Sequence, residues 1–94
     1  MKSFYMAYST EYEEGWGSRP DGFVIAKTKN DIETHINKIE DMGTMSYFWE
    51  YERPFEVFCE DETYEKIIKD MGDNNAVEYS ESFLGKINLY KLIR

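Results

Sequence analysis

Apolar and polar positions alternate every second residue in several stretches of this chain and recur every three to four residues in two others. Residues 3–9, Ser-Phe-Tyr-Met-Ala-Tyr-Ser, place Phe4, Met6 and Tyr8 on one side and Tyr5 and Ala7 on the other, which predicts a strand. A second strand is expected over residues 23–27, Phe-Val-Ile-Ala-Lys, antiparallel to the first. Residues 45–51 set Met45, Tyr47, Trp49 and Tyr51 against Ser46, Phe48 and Glu50, and aromatics on both sides predict a strand that is central or lies under a partner. Arg53-Pro54 interrupts this run, because proline cannot donate to a ladder, and residues 55–59 resume it with Phe55, Val57 and Cys59 opposite Glu56 and Phe58. A short strand over 76–79, a turn over 81–85 and a final strand over 86–93 complete the extended elements.

The helical period falls between these strands. In residues 28–43, Ile32, Ile36 and Ile39 recur at helical spacing with Met42 a turn further; Thr28 or Asn30 can cap the start, and Gly43 suits the end. In residues 61–72, Tyr64, Ile67, Ile68 and Met71 form one stripe, with Asp61 or Thr63 as cap and Gly72 as stop. The two helices close alike, Ile39-Glu40-Asp41-Met42-Gly43 and Ile68-Lys69-Asp70-Met71-Gly72, as two helices ending against one sheet would. Strands this short with two helices among them predict one α+β domain over residues 1–94. The expected form is a two-layer sandwich with a mostly antiparallel sheet of four to six strands and both helices on one face, ferredoxin-like or a relative of it. The other face would show Tyr and Trp to solvent or to a partner.

Between the first two strands lies a stretch of about a dozen residues, Glu-Tyr-Glu-Glu-Gly-Trp-Gly-Ser-Arg-Pro-Asp-Gly-Phe over 11–23. A connection of that length is expected to be a binding loop, a lid or a disordered segment, Trp16 between two glycines arguing against disorder, with Pro20-Asp21-Gly22 as a turn. Trp16 between Gly15 and Gly17 suits a tightly turning backbone whose side chain lies on a surface, and it either anchors a partner or folds back to cap the sheet.

Composition narrows the function classes. The hydrophobic fraction of 41% separates the chain from disordered sequences, and the net charge of −8 lacks the footprint of a nucleic-acid or anionic-membrane binder. Residues 50–65 hold seven carboxylates (Glu50, Glu52, Glu56, Glu60, Asp61, Glu62 and Glu65) against Arg53, while Lys86, Lys91 and Arg94 make the C-terminal end basic. A negative face attracts basic partners. One cysteine, no leader and no long apolar run make the cytoplasm the expected compartment. Eight Tyr and six Phe exceed what one small core holds, so some of Tyr5, Tyr8, Tyr12, Tyr47, Trp49, Tyr51 and Tyr79 should be exposed, as either a dimer interface or a docking face.

Candidate chemistry is sparse. His35 lies in a helical pattern with no nucleophile beside it, and Cys59 reads as a buried inert thiol, so no catalytic residue is expected. One His and one Cys cannot make a Cys/His metal site, the calcium-loop pattern is missing, and neither metal nor cofactor is expected. Glu60-Asp61-Glu62 reads as helix-start carboxylates. The glycines of residues 15–17 do not have the spacing of a phosphate loop, although Trp16 and Arg19 could still hold a nucleotide-like ligand.

The opening, Tyr5-Met6-Ala7-Tyr8-Ser9 through Glu14-Gly15-Trp16-Gly17 to Arg19-Pro20-Asp21-Gly22-Phe23, resembles the openings of small uncharacterised bacteriophage proteins over about the first quarter of the chain. The resemblance carries over no functional residue. It implies a phage accessory protein acting in the host cytoplasm, a class that includes inhibitors of host defence nucleases, anti-CRISPR proteins and scavengers of signalling nucleotides.

The expected function is a non-enzymatic acidic inhibitor or adaptor that binds a basic surface on a larger, nucleic-acid-handling protein. Its expected contact residues are Tyr12, Glu13, Glu14, Trp16, Arg19, Asp21, Glu50, Glu52, Glu60, Asp61 and Glu62. The alternatives are a nucleotide sponge built on the Gly-Trp-Gly segment and, last, a compact enzyme using paired carboxylates.

Overall fold

The computed structural model describes residues 1–91. Its axis is β1, Lys2–Glu13, a strand long enough to take different partners along its length. On one side β1 pairs from Tyr5 to Glu13 with β2, Gly17–Ala26; on the other it pairs with β4, Phe55–Cys59, at its start and with β3, Tyr47–Tyr51, at its end. Outside β2 lies β5, Ala76–Ser80, and outside β4 lies β6, Tyr90–Lys91, giving the order β5-β2-β1-β4-β6 with every pair antiparallel. The mostly antiparallel α+β sheet expected from the alternation is therefore what the chain forms. Residues 92–93 of the expected last strand, and Arg94, lie outside the described residues.

The helices are α1, Lys29–Asp41, and α2, Asp61–Met71. Thr28 caps α1, its hydroxyl accepting from the Asp31 N–H at 3.1 Å. At the start of α2 neither Asp61 nor Thr63 is the cap; Glu60 holds that position without a side-chain bond, and Asp61 and Glu62 sit in the first turn, where the helix dipole favours them.

The placement of the helices departs from the expected single helical layer. Phe4, Met6, Phe23, Ile25, Val57 and Cys59 point to one face and pack with Ile67 and Met71 of α2 and with Ile87. Ala7, Val24 and Ala26 point to the other and pack with Ile32 of α1. The helices thus cover opposite faces, which is why residues 23–26 are buried without alternation. Both helical stripes are apolar, and periodicity alone does not say which face of a sheet each will choose.

A second correction concerns residues 11–23, which are not a loop. Strands β1 and β2 continue to Glu13 and from Gly17, leaving a turn of three residues. The Trp16 N–H donates to the Glu13 carbonyl at 3.0 Å, and Gly15, at φ 88°, supplies the positive φ needed at the third position of such a turn. Pro20-Asp21-Gly22 is not a turn either. The register jumps from Ser9 opposite Gly22 to Thr10 opposite Pro20, so Asp21 is the extra residue of a β-bulge. Pro20 is tolerated because β5 covers only residues 22–26, leaving this part of β2 at an edge. The aromatic strand β3 is likewise an edge strand, paired with β1 alone, not a central one.

Candidate functional site

Beyond Ser9 the sheet narrows to a three-stranded arm made of the end of β1, the start of β2 and β3, at one end of a molecule 43 × 26 × 25 Å in extent. Its two surfaces differ. One carries Tyr12 and Phe48, whose rings stack at 4.9 Å and 12°, and Glu50, which accepts a hydrogen bond from the Tyr12 phenol and raises its proton affinity. Phe48 is partly exposed, Met45 beside it is 98% exposed, and Trp16 at the turn is 84% exposed. An open hollow of about 440 Å³ is lined here by Tyr12, Glu13, Glu14, Met45 and Phe48 with backbone of the turn. Among the described residues no helix covers this surface; α2 packs against the other end of the same face.

The opposite surface holds the arm rigid. The Glu11 carboxylate is almost buried and takes three donors: Arg19 Nε at 2.8 Å and a terminal guanidinium nitrogen at 2.5 Å on Oε1, and the Tyr47 hydroxyl at 2.6 Å on Oε2. These bonds, the Tyr47 one foremost, hold its proton affinity below the ordinary carboxylate value and raise that of Tyr47. Trp49 meets the Tyr47 ring edge-on at 4.8 Å. The turn is tied to β3 as well, by the Glu14 N–H to the Ser46 carbonyl at 2.8 Å and the Ser46 hydroxyl to the Glu14 carboxylate at 2.9 Å.

Next to this network Asp21 sits in the bulge with its proton affinity raised, first by burial and then by Glu11 and Glu78, against a hydrogen bond from Ser9. Glu78 accepts from the Tyr51 hydroxyl, and the His35 ring lies 3.1 Å from it. Tyr51, partly buried beneath α1, has its phenol raised by burial and by Glu78. Sequence reasoning missed Glu11, Tyr47, Tyr51, Glu78 and His35 as one polar surface. Only the alternation of β1 and β3 could have joined Glu11 to Tyr47.

Of the residues expected to meet a partner, Tyr12, Glu13, Glu14, Trp16 and Glu50 lie at the exposed end of the arm, Tyr12 and Glu50 on the Phe48 surface, and Trp16 and Glu13 beside Arg19, where they line a hollow with Glu11. Arg19 and Asp21 lie on the opposite surface, and Arg19 is committed to Glu11. Glu52 follows β3, its N–H donating to the Tyr8 carbonyl at 2.8 Å. Glu60, Asp61 and Glu62 are not brought to the tip. Cys59 pairs with Lys2 at the far end of β1, and the eleven steps from Lys2 to Glu13 at about 3.3 Å each put roughly 36 Å between them. The acidic run splits in space because β3 and β4 lie in line along β1. Among the candidate aromatics Tyr8 is exposed and Tyr79 is buried, donating to Asp70 at 2.8 Å; Tyr5, Tyr12, Tyr47, Trp49 and Tyr51 are half-buried.

Cys59 is fully buried, and burial pushes its thiol up, away from the reactive thiolate. Among the described residues no three His, Cys, Asp or Glu side chains are grouped to hold a metal ion, and no helix is long and apolar enough to cross a membrane. No protein-family model, curated protein or solved structure matches the chain.

Proposed function

We propose that this chain is a non-enzymatic binding module, an inhibitor or adaptor that docks the tip of its arm on a basic surface of a larger protein in the cytoplasm. A nucleic-acid-handling host protein, as a phage anti-defence factor would target, is the favoured partner. The observation that carries the reading is the end of the arm: Trp16 stands exposed at the turn of a braced hairpin that also exposes Met45 and the Tyr12–Phe48 stack, with Glu13 and Glu14 in the same turn and Glu50 bonded to Tyr12. A large aromatic held out on a rigid support has little freedom left to lose on binding, which is what makes Trp and Tyr effective anchors. The surrounding carboxylates favour a basic partner and disfavour a second copy of a chain whose net charge is −8.

Capture from native host lysate at low and moderate salt tests this. A basic partner should be retained at low salt, weakened by added salt, and lost with Trp16→Ala and with Glu13, Glu14 and Glu50 reversed to Lys. Reversal of Glu60, Asp61 and Glu62, at the other end of the molecule, should leave capture intact. Trp16→Ala should weaken the isolated complex by about 30-fold, the loss typical of a hot-spot aromatic. Capture that is indifferent to Trp16→Ala and to salt would rule the reading out.

The nucleotide-sponge reading has less support. The hollow beside Trp16 and Arg19 is about 160 Å³ and is walled by Glu11 and Glu13, and Arg19 is already engaged by Glu11. A phosphate entering it would have to displace a carboxylate and face another. No rise in melting temperature is expected across a panel of cyclic dinucleotides, and a ligand-specific rise would restore this alternative.

A further inference from the structure

We infer that the free edge of β3 takes up an extended, alternately basic and apolar segment of a partner as an additional antiparallel strand. This rests on the reading of the chain as a binder of basic proteins, but it uses the outer edge of β3 and not Trp16, sharing Phe48 and Glu50 with the tip.

The edge is flanked at its start by Gly43 and Thr44, which lie against Phe48 and Tyr47, and among the described residues is open from Trp49 onward. The Glu14 N–H bonds the Ser46 carbonyl and the Glu52 N–H bonds the Tyr8 carbonyl, so in this register the even-numbered residues of β3 turn their backbone groups toward β1. Those of Tyr47, Trp49 and Tyr51 therefore point outward. Thr44 satisfies Tyr47, donating its N–H to the Tyr47 carbonyl at 2.8 Å and accepting from the Tyr47 N–H at 3.1 Å on Oγ1. Among the described residues nothing pairs with the N–H and C=O of Trp49 and Tyr51 on that side, which leaves two donors and two acceptors in a row.

Other edges are closed or less suited. The outer side of β4 is occupied by β6, and the unpaired part of β2 is guarded by Pro20 and the bulge at Asp21. β5 is open, but it carries a single carboxylate, Glu78, and so presents no alternating acidic row. On β3 no proline, bulge or lysine stands guard.

The side chains specify the occupant. Phe48, Glu50 and Glu52 share one face, and Tyr47, Trp49 and Tyr51 the other. Carboxylates at alternate positions are matched by lysines or arginines at alternate positions of an added strand, and Trp49 and Tyr51 by apolar residues between them. In an antiparallel ladder the partner residues opposite Trp49 and Tyr51 are those whose amides face β3. The apolar residues of the partner thus make the backbone bonds, while its basic residues turn their amides to water.

The test uses a nine-residue peptide of alternating lysine and valine, titrated into the full chain while amide hydrogen exchange is followed by NMR. At saturation the Trp49 and Tyr51 amides should exchange at least about tenfold more slowly, as hydrogen-bonded groups do. N-methylation of the valine amides should weaken binding about tenfold or more, through two lost hydrogen bonds, whereas N-methylation of the lysine amides should not. A glutamate–valine peptide should not bind, and Trp16→Ala should leave the peptide response unchanged, which separates failure of the edge from failure of the tip. The inference is overturned if the peptide does not bind, if its effects centre on Trp16 and Tyr12 with Trp49 and Tyr51 unprotected, or if both N-methylated series behave alike. It is also overturned if protection at Trp49 rises with protein concentration alone, which would assign the edge to a second copy.

Discussion

Placing the helices on opposite faces makes a prediction that a single helical layer would not. Ile32 of α1 and Ile67 of α2 are both fully buried, yet they pack in separate clusters divided by the sheet. Ile32→Ala and Ile67→Ala should each cost about 2–5 kcal/mol, against a total stability on the order of 5–14 kcal/mol for 94 residues. Ile32→Ala should fall in the upper part of that range. Its neighbours Ala7, Val24 and Ala26 are small side chains on a stiff sheet and cannot close the cavity, whereas the Ile67 cluster contains Met6 and Met71, which adapt. A milder pair tests the separation itself. Ile32→Val and Ile67→Val should each cost about 0.5–1.5 kcal/mol. The double variant should equal their sum within about 0.5 kcal/mol, because the two sites share no neighbour. The assay is urea unfolding of the four proteins followed by tryptophan fluorescence. Coupling well above 0.5 kcal/mol, on the order of that between residues in contact, would refute the opposite-face arrangement.

Three further outcomes are expected. Asp21→Asn should raise the melting temperature at neutral pH. Because folding raises the Asp21 proton affinity, its charge destabilises the fold above the folded-state value, and this penalty vanishes as pH falls through the unfolded value near 3.9; the gain measured by calorimetry should therefore be present at pH 7 and disappear below about pH 4. Gly22→Ala should cost at least about 1–3 kcal/mol, because the new Cβ would lie 2.0 Å from the Tyr79 carbonyl oxygen and 3.1 Å from the Ser80 Cα. Hydrogen exchange should then show loosening at the end of β5. Thr28→Ala should remove the cap of α1 at a cost of about 1 kcal/mol in chemical unfolding, and Thr28→Asn should restore most of it.

How much of the fold is legible in the sequence follows from how local each signal is. Ile32, Ile36 and Ile39 announce α1, and the Thr28 cap forms at 3.1 Å, since cap and stripe depend only on residues within one or two turns. The hairpin is hidden by Gly, Pro and acidic residues that usually mark loops. Here Gly15 makes the turn while Pro20 and Asp21 are absorbed by an edge and a bulge, which depend on where β5 stops. The tip is partly legible, because a tryptophan between two glycines is by itself a sign of an exposed aromatic. The brace behind it is not: Glu11 and Tyr47 are 36 residues apart and meet only once β3 pairs with β1. Glu60, Asp61 and Glu62 are close to Glu50 along the chain, and the proline-marked step from β3 to β4 carries them to the far end of the molecule.

The same geometry decides where this protein has surface left to bind with. A six-stranded sheet with a helix on each face has no free face over most of its length, and both helices spend their apolar stripes on the sheet. Among the described residues the sheet is left without helical cover past Ser9, and there it carries Tyr12 and Phe48, with Trp16 at the turn, instead of the polar residues that would make an exposed sheet inert. Burying Glu11 against Arg19 and Tyr47 pairs its charge and ties β1, β2 and β3 together on the opposite surface of this arm. An arm that served only as a solvated hairpin would need neither the brace nor the aromatics. Together they are what the proposed docking on a basic partner requires, a rigid aromatic surface with carboxylates beside it.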